Sequence, residues 1–363
     1  MKAAAPMAQA VTTSVSRIGY GLVLVVLVLL PFFSSTYTQY LVIHMMLLAI
    51  YALGFNLLFG YTGLLSFGQA GFYGIGAYAC AGILLRYPSV LAGVLGGVAA
   101  AAAAAFVIGV LSVRHTRIYF TMLTLAFGML VYSVLWKWRA VTGGDDGLVG
   151  IPRAPLDLFG LVQIPLRTVT NFYFFTLAVT VIALFLLYRI VHSPFGLSLQ
   201  GIRDSEVRSH FVGVHVRKHR LLAFVVAGAY AGLAGSLLAP LESAVTPVIS
   251  HWSNSGDAVL VTLLGGVRAF FGPVIGSVLF VLIRELVVQI TEYWQLVMGV
   301  IVVILVLGFR GGVAQAVVDA WQRWVVNARA QPAHQQAPQP AFGNAAQAAH
   351  GQVQQAAERG ESR

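Results

Sequence analysis

The chain has almost no sulfur chemistry and very little charge. Its single cysteine, Cys80, lies inside an apolar run. One thiol excludes an intrachain disulfide, and no Cys/His grouping has metal-ligand spacing. Cys80 therefore reads as a packed, inert residue, and neither a metal nor a cofactor is expected. Only 9% of the 363 residues are charged, 58% are hydrophobic, and the mean hydropathy is +0.83. A soluble domain carries roughly 25% charge. So much apolar surface is expected in lipid, not around an aqueous core. Lysine is nearly missing as well. A phosphate-cradling loop needs G-x-x-x-x-G-K-[ST], but Lys2 is followed by Ala3, Lys137 by Trp138 and Lys218 by His219. The chain is thus expected to hydrolyse no ATP itself. It also lacks a G-x-S-x-G motif, and nothing in the sequence pairs Ser66 with His44 as nucleophile and base. This argues against an intramembrane hydrolase.

What is present is a series of long apolar runs. They lie at about 18–37, 39–60, 64–85, 90–112, 118–136, 171–191, 221–240, 257–267, 270–287 and 294–309. Most approach the ~20 residues a helix needs to cross a bilayer. The run 257–267 is short and reads as a half-helix or re-entrant segment. The expected fold is all-α, a polytopic transmembrane helical bundle of eight to ten spans. Lys2 and Arg17 precede the first run, and "SSTYTQY" after it offers no A-x-A-like cleavage site. The first run is therefore expected to stay as an uncleaved span with its N-terminus inside. On that orientation Arg86, Lys137, Arg139, Arg153 and Arg167 face outward and Arg284 lies near the outer end of a span. The rest of the 22 basic residues fall inside, as the positive-inside bias requires. Both termini are then cytoplasmic. The net charge of +10 points to anionic lipid and cytoplasmic partners instead of nucleic acid. Residues 1–17 form a short cytoplasmic segment and 18–325 the membrane domain, with a cytoplasmic loop at 192–220. Residues 326–363 are rich in Ala, Gln and Pro and read as a disordered cytoplasmic tail.

The loop "RDSEVRSHFVGVHVRKHR", Arg203 to Arg220, concentrates charge that the rest of the chain avoids. At ~2.5–3.5 kcal/mol per charge at a membrane centre, it must lie outside the hydrocarbon. Ser193-Pro194 is a helix-start signal. Asp204 is placed to cap a second helix over about 205–212, with Glu206 in its first turn and Gly213 at its stop. Val207 and Phe211 share a face, with Arg208 beside them. A helix this short is not stable alone in water, so it must lie on something: anionic lipid or a cytoplasmic partner.

Several stretches carry a resemblance. "SPFGLSLQGIRDSEVRSHFVGV…LLAFVVAGAYAGLAGSLLA", Ser193 to Ala239, is similar to the cytoplasmic coupling segment of permease subunits of branched-chain amino acid ABC importers, LivM type. "NLLFGYTGLLSFGQAGFYGIGAY", Asn56 to Tyr78, resembles the family's Gly-rich early signature, and "TGGDDGLVGIP", Thr142 to Pro152, its outer-loop motif. "VLVTLLGGVRAFFGPVIGS" and "TEYWQLVMGV" also match, in the family's order, from roughly residue 40 to 310. The sequence departs from the family pattern at Arg268-Ala269, at Phe309-Arg310-Gly311, and at Gly201 and Ser209. The resemblance implies an inner-membrane permease subunit working with a homologous second permease, two cytoplasmic ATPase subunits and an external solute-binding protein. Its cargo would be branched-chain or other apolar amino acids, with urea or short amides as the alternative. Arg203, Asp204, Glu206, Val207, Arg208, Phe211 and Gly213 would take up the ATPase motion. Thr142, Gly143, Gly144, Asp145 and Asp146 would face the binding protein.

Glycines crowd the region from Gly60 to Gly76. Close helix packing is one reading; a broken helix lining the path is the sharper one. On the latter, Asn56, Gly60, Gly63, Ser66, Gly68 and Gln69 form a neutral polar lining. Gly93/Gly97, Gly228/Gly232 and Gly272/Gly276 have G-x-x-x-G spacing and read as packing. A calcium loop at Asp145 is excluded by spacing, since its twelfth position is Leu156 and not Glu. Tyr293 and Trp294 read as interface anchors. An ion-coupled secondary transporter remains the alternative class. It would need acidic or His residues along the path, and the candidates are His44, Glu285 and Glu292.

Overall fold

In the computed structural model, residues 24–115, 118–157, 163–267 and 269–308 are described. The chain divides into two units, 1–316 and 317–363, and every described residue belongs to the first. The expected N-terminal segment 1–17, the tail 326–363, Arg268 and the Phe309-Arg310-Gly311 stretch lie outside the described residues.

The described chain is a helical bundle. Helix α1 covers Leu24–Phe33, α2 Thr36–Asn56, α3 Gln69–Arg86, α4 Val90–Ser112 and α5 Ile118–Lys137. A single turn, α6 (Arg139–Thr142), leads into a loop that ends at α7 (Val169–Val191). Two short helices, α8 (Pro194–Asp204) and α9 (Glu206–Phe211), precede the long α10 (Val216–Glu242). Helices α11 (Trp252–Gly265), α12 (Gly272–Val288) and α13 (Trp294–Gly308) complete the series. Five helical stretches are long and apolar enough to cross a bilayer: 36–62, 90–112, 118–137, 169–191 and 216–242. Hydroxyl caps start three of them. Ser35 accepts from the Thr38 amide (3.3 Å), Ser89 from Ala92 (3.5 Å) and Thr168 from Asn171 (3.3 Å), each satisfying a donor the helix leaves open.

Helices α3, α4 and α10 pack at backbone distance. A Cβ on Gly76 would fall on the backbone of Gly232, and one on Gly97 would meet the Gly76 carbonyl and the Ser236 hydroxyl. Ala101 and Ala105, both fully buried, fit against Gly232 and Gly228. Small residues at these crossings let the helices gain dispersion contacts that lipid cannot displace. Ser236 donates to the carbonyls of Gly232 (2.7 Å) and Gly76 (3.2 Å). Edge-to-face contacts of Phe224 with Phe72 (5.4 Å) and Phe120 (5.8 Å) extend the core toward α5.

Two connections between helices break the helical pattern without forming simple turns. Helix α2 widens into a π-helical turn, Leu57–Thr62, closed by Gly63 at φ +71°. Residues 64–68 then run without helix, and α3 starts only at Gln69. The interruption falls in the glycine-rich stretch whose sharper reading is a broken helix. The carbonyl of Leu65 is taken by the Thr121 hydroxyl of α5 (2.9 Å), so the non-helical backbone finds a partner inside the protein, as it must at membrane depth. The second break follows α10. Residues Ala244–Val245 (β4) pair antiparallel with Leu148–Val149 (β1), and a 3-10 turn, Pro247–Ser250, leads to α11. The two breaks meet: the Ala70 amide in the first turn of α3 donates to the Ser255 hydroxyl of α11 (2.9 Å). A second small ribbon, Leu156–Asp157 (β2) with Gln163–Ile164 (β3), lies in the α6–α7 loop.

Candidate functional site

The α8–α9 segment lies at one end of α2, beside its π-helical turn. Pro194 occupies the first turn of α8 as expected, but the Ser193 hydroxyl caps nothing and donates back to the Ile190 carbonyl (2.6 Å). Asp204 is the last residue of α8; the cap of α9 is Ser205, which accepts from the Arg208 amide (3.3 Å). The cap expected at Asp204 thus falls one residue later, because Ser205 is the extended residue that both ends α8 and opens α9. Glu206 sits in the first turn of α9, and Arg220 of α10 grips its carboxylate with both terminal nitrogens (3.0 and 2.9 Å). Arg220 is buried, so this bidentate pair pins the short helix to a long one. Gly213 takes φ +90°, the left-handed stop that glycine permits. Val207, Phe211 and Val212 are exposed, Phe211 at 84%. Their apolar surface has no partner within the described residues. The Arg203 guanidinium reaches the Gly60 carbonyl, and its stem lies over Gly63. Segment and π-helical turn are therefore in direct contact.

The predicted path residues other than Gly63, which is exposed, are enclosed. Ser66 and Gln69 are fully buried and Asn56 nearly so. Ser66 accepts a weak bond from the Gly68 amide (3.4 Å). The Asn56 carbonyl oxygen and both amide atoms of Gln69 are buried without a hydrogen-bond partner. Gly68 abuts the Thr124 backbone of α5. Gly60 and Arg203 share the wall of a 390 Å³ cavity.

At the other end of α2, the 142–153 loop is built from left-handed glycines. Gly143, Gly144, Gly147 and Gly150 all have positive φ. The Thr142 hydroxyl, buried, donates to the carbonyls of Leu135 (2.7 Å) and Trp138 (2.8 Å). Arg153 donates to the last-turn carbonyls of α10 at Pro240 (3.1 Å) and Leu241 (2.9 Å). It thereby closes the helix end that β1 and β4 strap down. Asp145 and Asp146 are exposed at the tip.

A larger cavity, about 460 Å³, opens between α2, α3, α10, α11 and α12. The α2 wall is one face: Tyr37, Tyr40, Leu41, His44, Leu48 and Tyr51 recur at helical spacing. From Tyr37 to Tyr51 that face runs about 21 Å. Glu242 accepts from Tyr40 and pairs with His44 (Nε2 to carboxylate, 3.0 Å). Glu285 accepts from Tyr37 and, more weakly, from Gln289 (3.4 Å). Tyr51 donates to the Asn254 carbonyl (3.3 Å) and its ring lies 5.2 Å from that of Tyr73. Asp257 and Arg284 complete the polar lining, and Arg284 stands 4.9 Å over the Trp294 ring. Trp294 is thus a partner of Arg284, whereas Tyr293 is exposed, as an anchor should be. Sequence reasoning singled out His44 and Glu285 only as proton-relay candidates and missed the wall as a whole. The legible signal was three tyrosines and a histidine on one face of an apolar helix.

Five helices long and apolar enough to cross a bilayer, with polar cavities near both ends of α2, define a multi-pass membrane protein. Residues 37–306 match the family described as branched-chain amino acid transport system permease component. The chain belongs to that family, and is a transport permease subunit, not a catalytic one. It is 30% identical over 309 residues to the high-affinity branched-chain amino acid transport system permease protein LivM of Escherichia coli K12, covering 78% of this chain and 71% of the relative. The LivM protein of Salmonella typhimurium LT2 is equally similar over the same span. A probable branched-chain amino acid transport permease protein LivH of Methanocaldococcus jannaschii is 24% identical over 254 residues, covering 65% of this chain and 75% of that one. No solved structure matches the chain significantly.

Proposed function

We propose that this chain forms half of the membrane path of an ATP-driven importer for branched-chain or other apolar amino acids. It sits in a bacterial inner membrane with eight to ten spans and both termini in the cytoplasm. The partners are a homologous second permease, two cytoplasmic ATPase subunits and an external solute-binding protein. The observation that carries the reading is the α8–α9 segment. Its apolar side chains are bare, its base is fixed to α10 through Glu206 and Arg220, and its Arg203 holds the Gly60 carbonyl. A rigid, apolar protrusion on a membrane protein suits a protein partner that pushes it. Arg203, Asp204, Glu206, Val207, Arg208, Phe211 and Gly213 form this lever. Through Arg203 its motion reaches the π-helical turn of α2, an element common at functional sites. The solute enters by the tyrosine cavity, screened by the loop of Thr142, Gly143, Gly144, Asp145 and Asp146 that meets the binding protein. It leaves past Asn56, Gly60, Gly63, Ser66, Gly68 and Gln69. The partnerless amides of Asn56 and Gln69 are the groups a closed polar passage would hold in reserve.

The test is labelled-leucine uptake by the complete complex in liposomes, with ATP supplied or withheld at fixed ion gradients. Ser66→Ala combined with Gln69→Ala should change the rate without loss of assembly. A rate in that double variant equal to the unmodified complex removes the passage from the reading.

A further inference from the structure

Three carboxylates line the tyrosine cavity, and two are engaged by the protein itself. Glu242 holds His44 and Tyr40, and Glu285 holds Tyr37. Asp257 has no hydrogen bond and no close ion pair among the described residues; the opposing charge that acts on it is Arg284, in the wall of the same cavity. It lies one turn beyond Asn254, which Tyr51 touches, and so faces the deep end of the cavity beside Tyr51 and Tyr73. Deep in a membrane protein, an unpaired carboxylate is costly, and such groups mark the paths of ions and solutes. Tyrosine rings attract cations over their faces. The remaining wall is apolar, with Leu48, Phe280 and Val281. Arg284 follows Phe280 and Val281 by one turn of α12 in the direction of Glu285 and Tyr37, which mark the mouth. The volume falls in the range of small-solute sites, roughly 300–1,000 Å³.

We propose that Asp257, with Tyr51 and Tyr73, receives the ammonium group of an α-amino acid at the deep end of this cavity. Arg284, whose charge already acts on Asp257 across the cavity, draws the carboxylate carried on the same carbon, and the apolar wall takes the aliphatic side chain. This rests on the reading of the chain as an amino-acid permease. Asp257 gives that permease a selection for the free amine, beyond what its binding protein imposes.

The experiment has two readouts on the complete complex. In ATP-loaded liposomes with the binding protein, Asp257→Asn lowers leucine uptake about tenfold or more, the scale of a lost charge-assisted bond, and Asp257→Glu recovers most of it. In the detergent-purified complex without binding protein, millimolar leucine slows carbodiimide labelling of Asp257, read by peptide mass, and 4-methylpentanoate, which lacks the amine, does not. Uptake by Asp257→Asn equal to the unmodified complex, or equal protection by both solutes, overturns the inference while leaving the permease reading standing. Sodium alone protecting Asp257, with leucine adding nothing, also overturns it. Failure of the unmodified complex to carry leucine sinks the permease reading for amino acids, and the inference with it.

Discussion

The two ends of α2 treat polar groups in opposite ways. At the Tyr37 end, charges are turned inward and held by hydroxyls: Tyr37 on Glu285, Tyr40 and His44 on Glu242. At the Thr62 end, charges are held by one another or by backbone, as in Glu206 with Arg220 and Arg203 with Gly60, while apolar side chains turn outward. A cavity wall whose polar groups are satisfied by one another, save Asp257, suits a small solute that must bind and leave. A bare apolar helix on a braced base suits a protein surface. One helix, α2, runs between the two.

The difference can be broken from either side. The largest effect is expected at the lever. Phe211→Asp should lower ATP-driven uptake about a hundredfold, the loss of an interface anchor, while leucine protection of Asp257 from carbodiimide is unchanged. Loss of both together would show that the two ends are not separable. Arg203→Met comes next. ATPase subunits should still co-purify, yet uptake should fall about tenfold, since the bond from guanidinium to Gly60 carbonyl is worth roughly 1.5–3 kcal/mol. Glu206→Gln should lower thermal stability of the folded permease by about 1–3 kcal/mol, because a buried guanidinium is left without its anion. The paired variant with Arg220→Met should recover part of that. At the opposite end, Tyr40→Phe should cost only about threefold in uptake, one neutral hydroxyl bond to Glu242 that His44 still shares. The smallest effect is expected at the loop tip. Asp145→Asn with Asp146→Asn should slow association of the binding protein a few-fold at low salt and hardly at all at about 0.5 M salt, as rim charges do.

Much of the fold was legible because apolar runs and helices coincide. The run 90–112 is α4 to the residue, and 118–136 is α5 within one. The glycines pointed to a break before α3, but the bounds of the breaks were harder to read, since tertiary partners set them. Helix α3 starts at Gln69, not at 64, because Thr121 and Ser255 supply the hydrogen bonds that a helix there would have made internally. Helix α11 starts at Trp252, five residues before the apolar run, where the His251 ring accepts from the Ser253 amide (3.4 Å). Helix α10 extends back to Val216 through a basic first turn, which Glu206 makes tolerable by neutralising Arg220. Helix α9 was readable because its first-turn acid, Glu206, and its stop, Gly213, are local, although the cap is Ser205 and not Asp204. The tyrosine cavity was not. Glu242 and Asp257 sit at the edges of apolar runs, and their neighbours come from α2, α3 and α12, far away in sequence. Only the α2 stripe, Tyr37 to Tyr51, was written at helical period in one stretch.

The central claim is that this chain is a gate moved from outside, through α9. The direct measurement is leucine uptake into liposomes holding the complete complex, with internal ATP present or absent, for the unmodified chain and for one lacking residues 206–211. Uptake confined to the unmodified chain with ATP is the predicted result. Uptake that continues without ATP on an ion gradient alone, or that survives removal of 206–211, contradicts it.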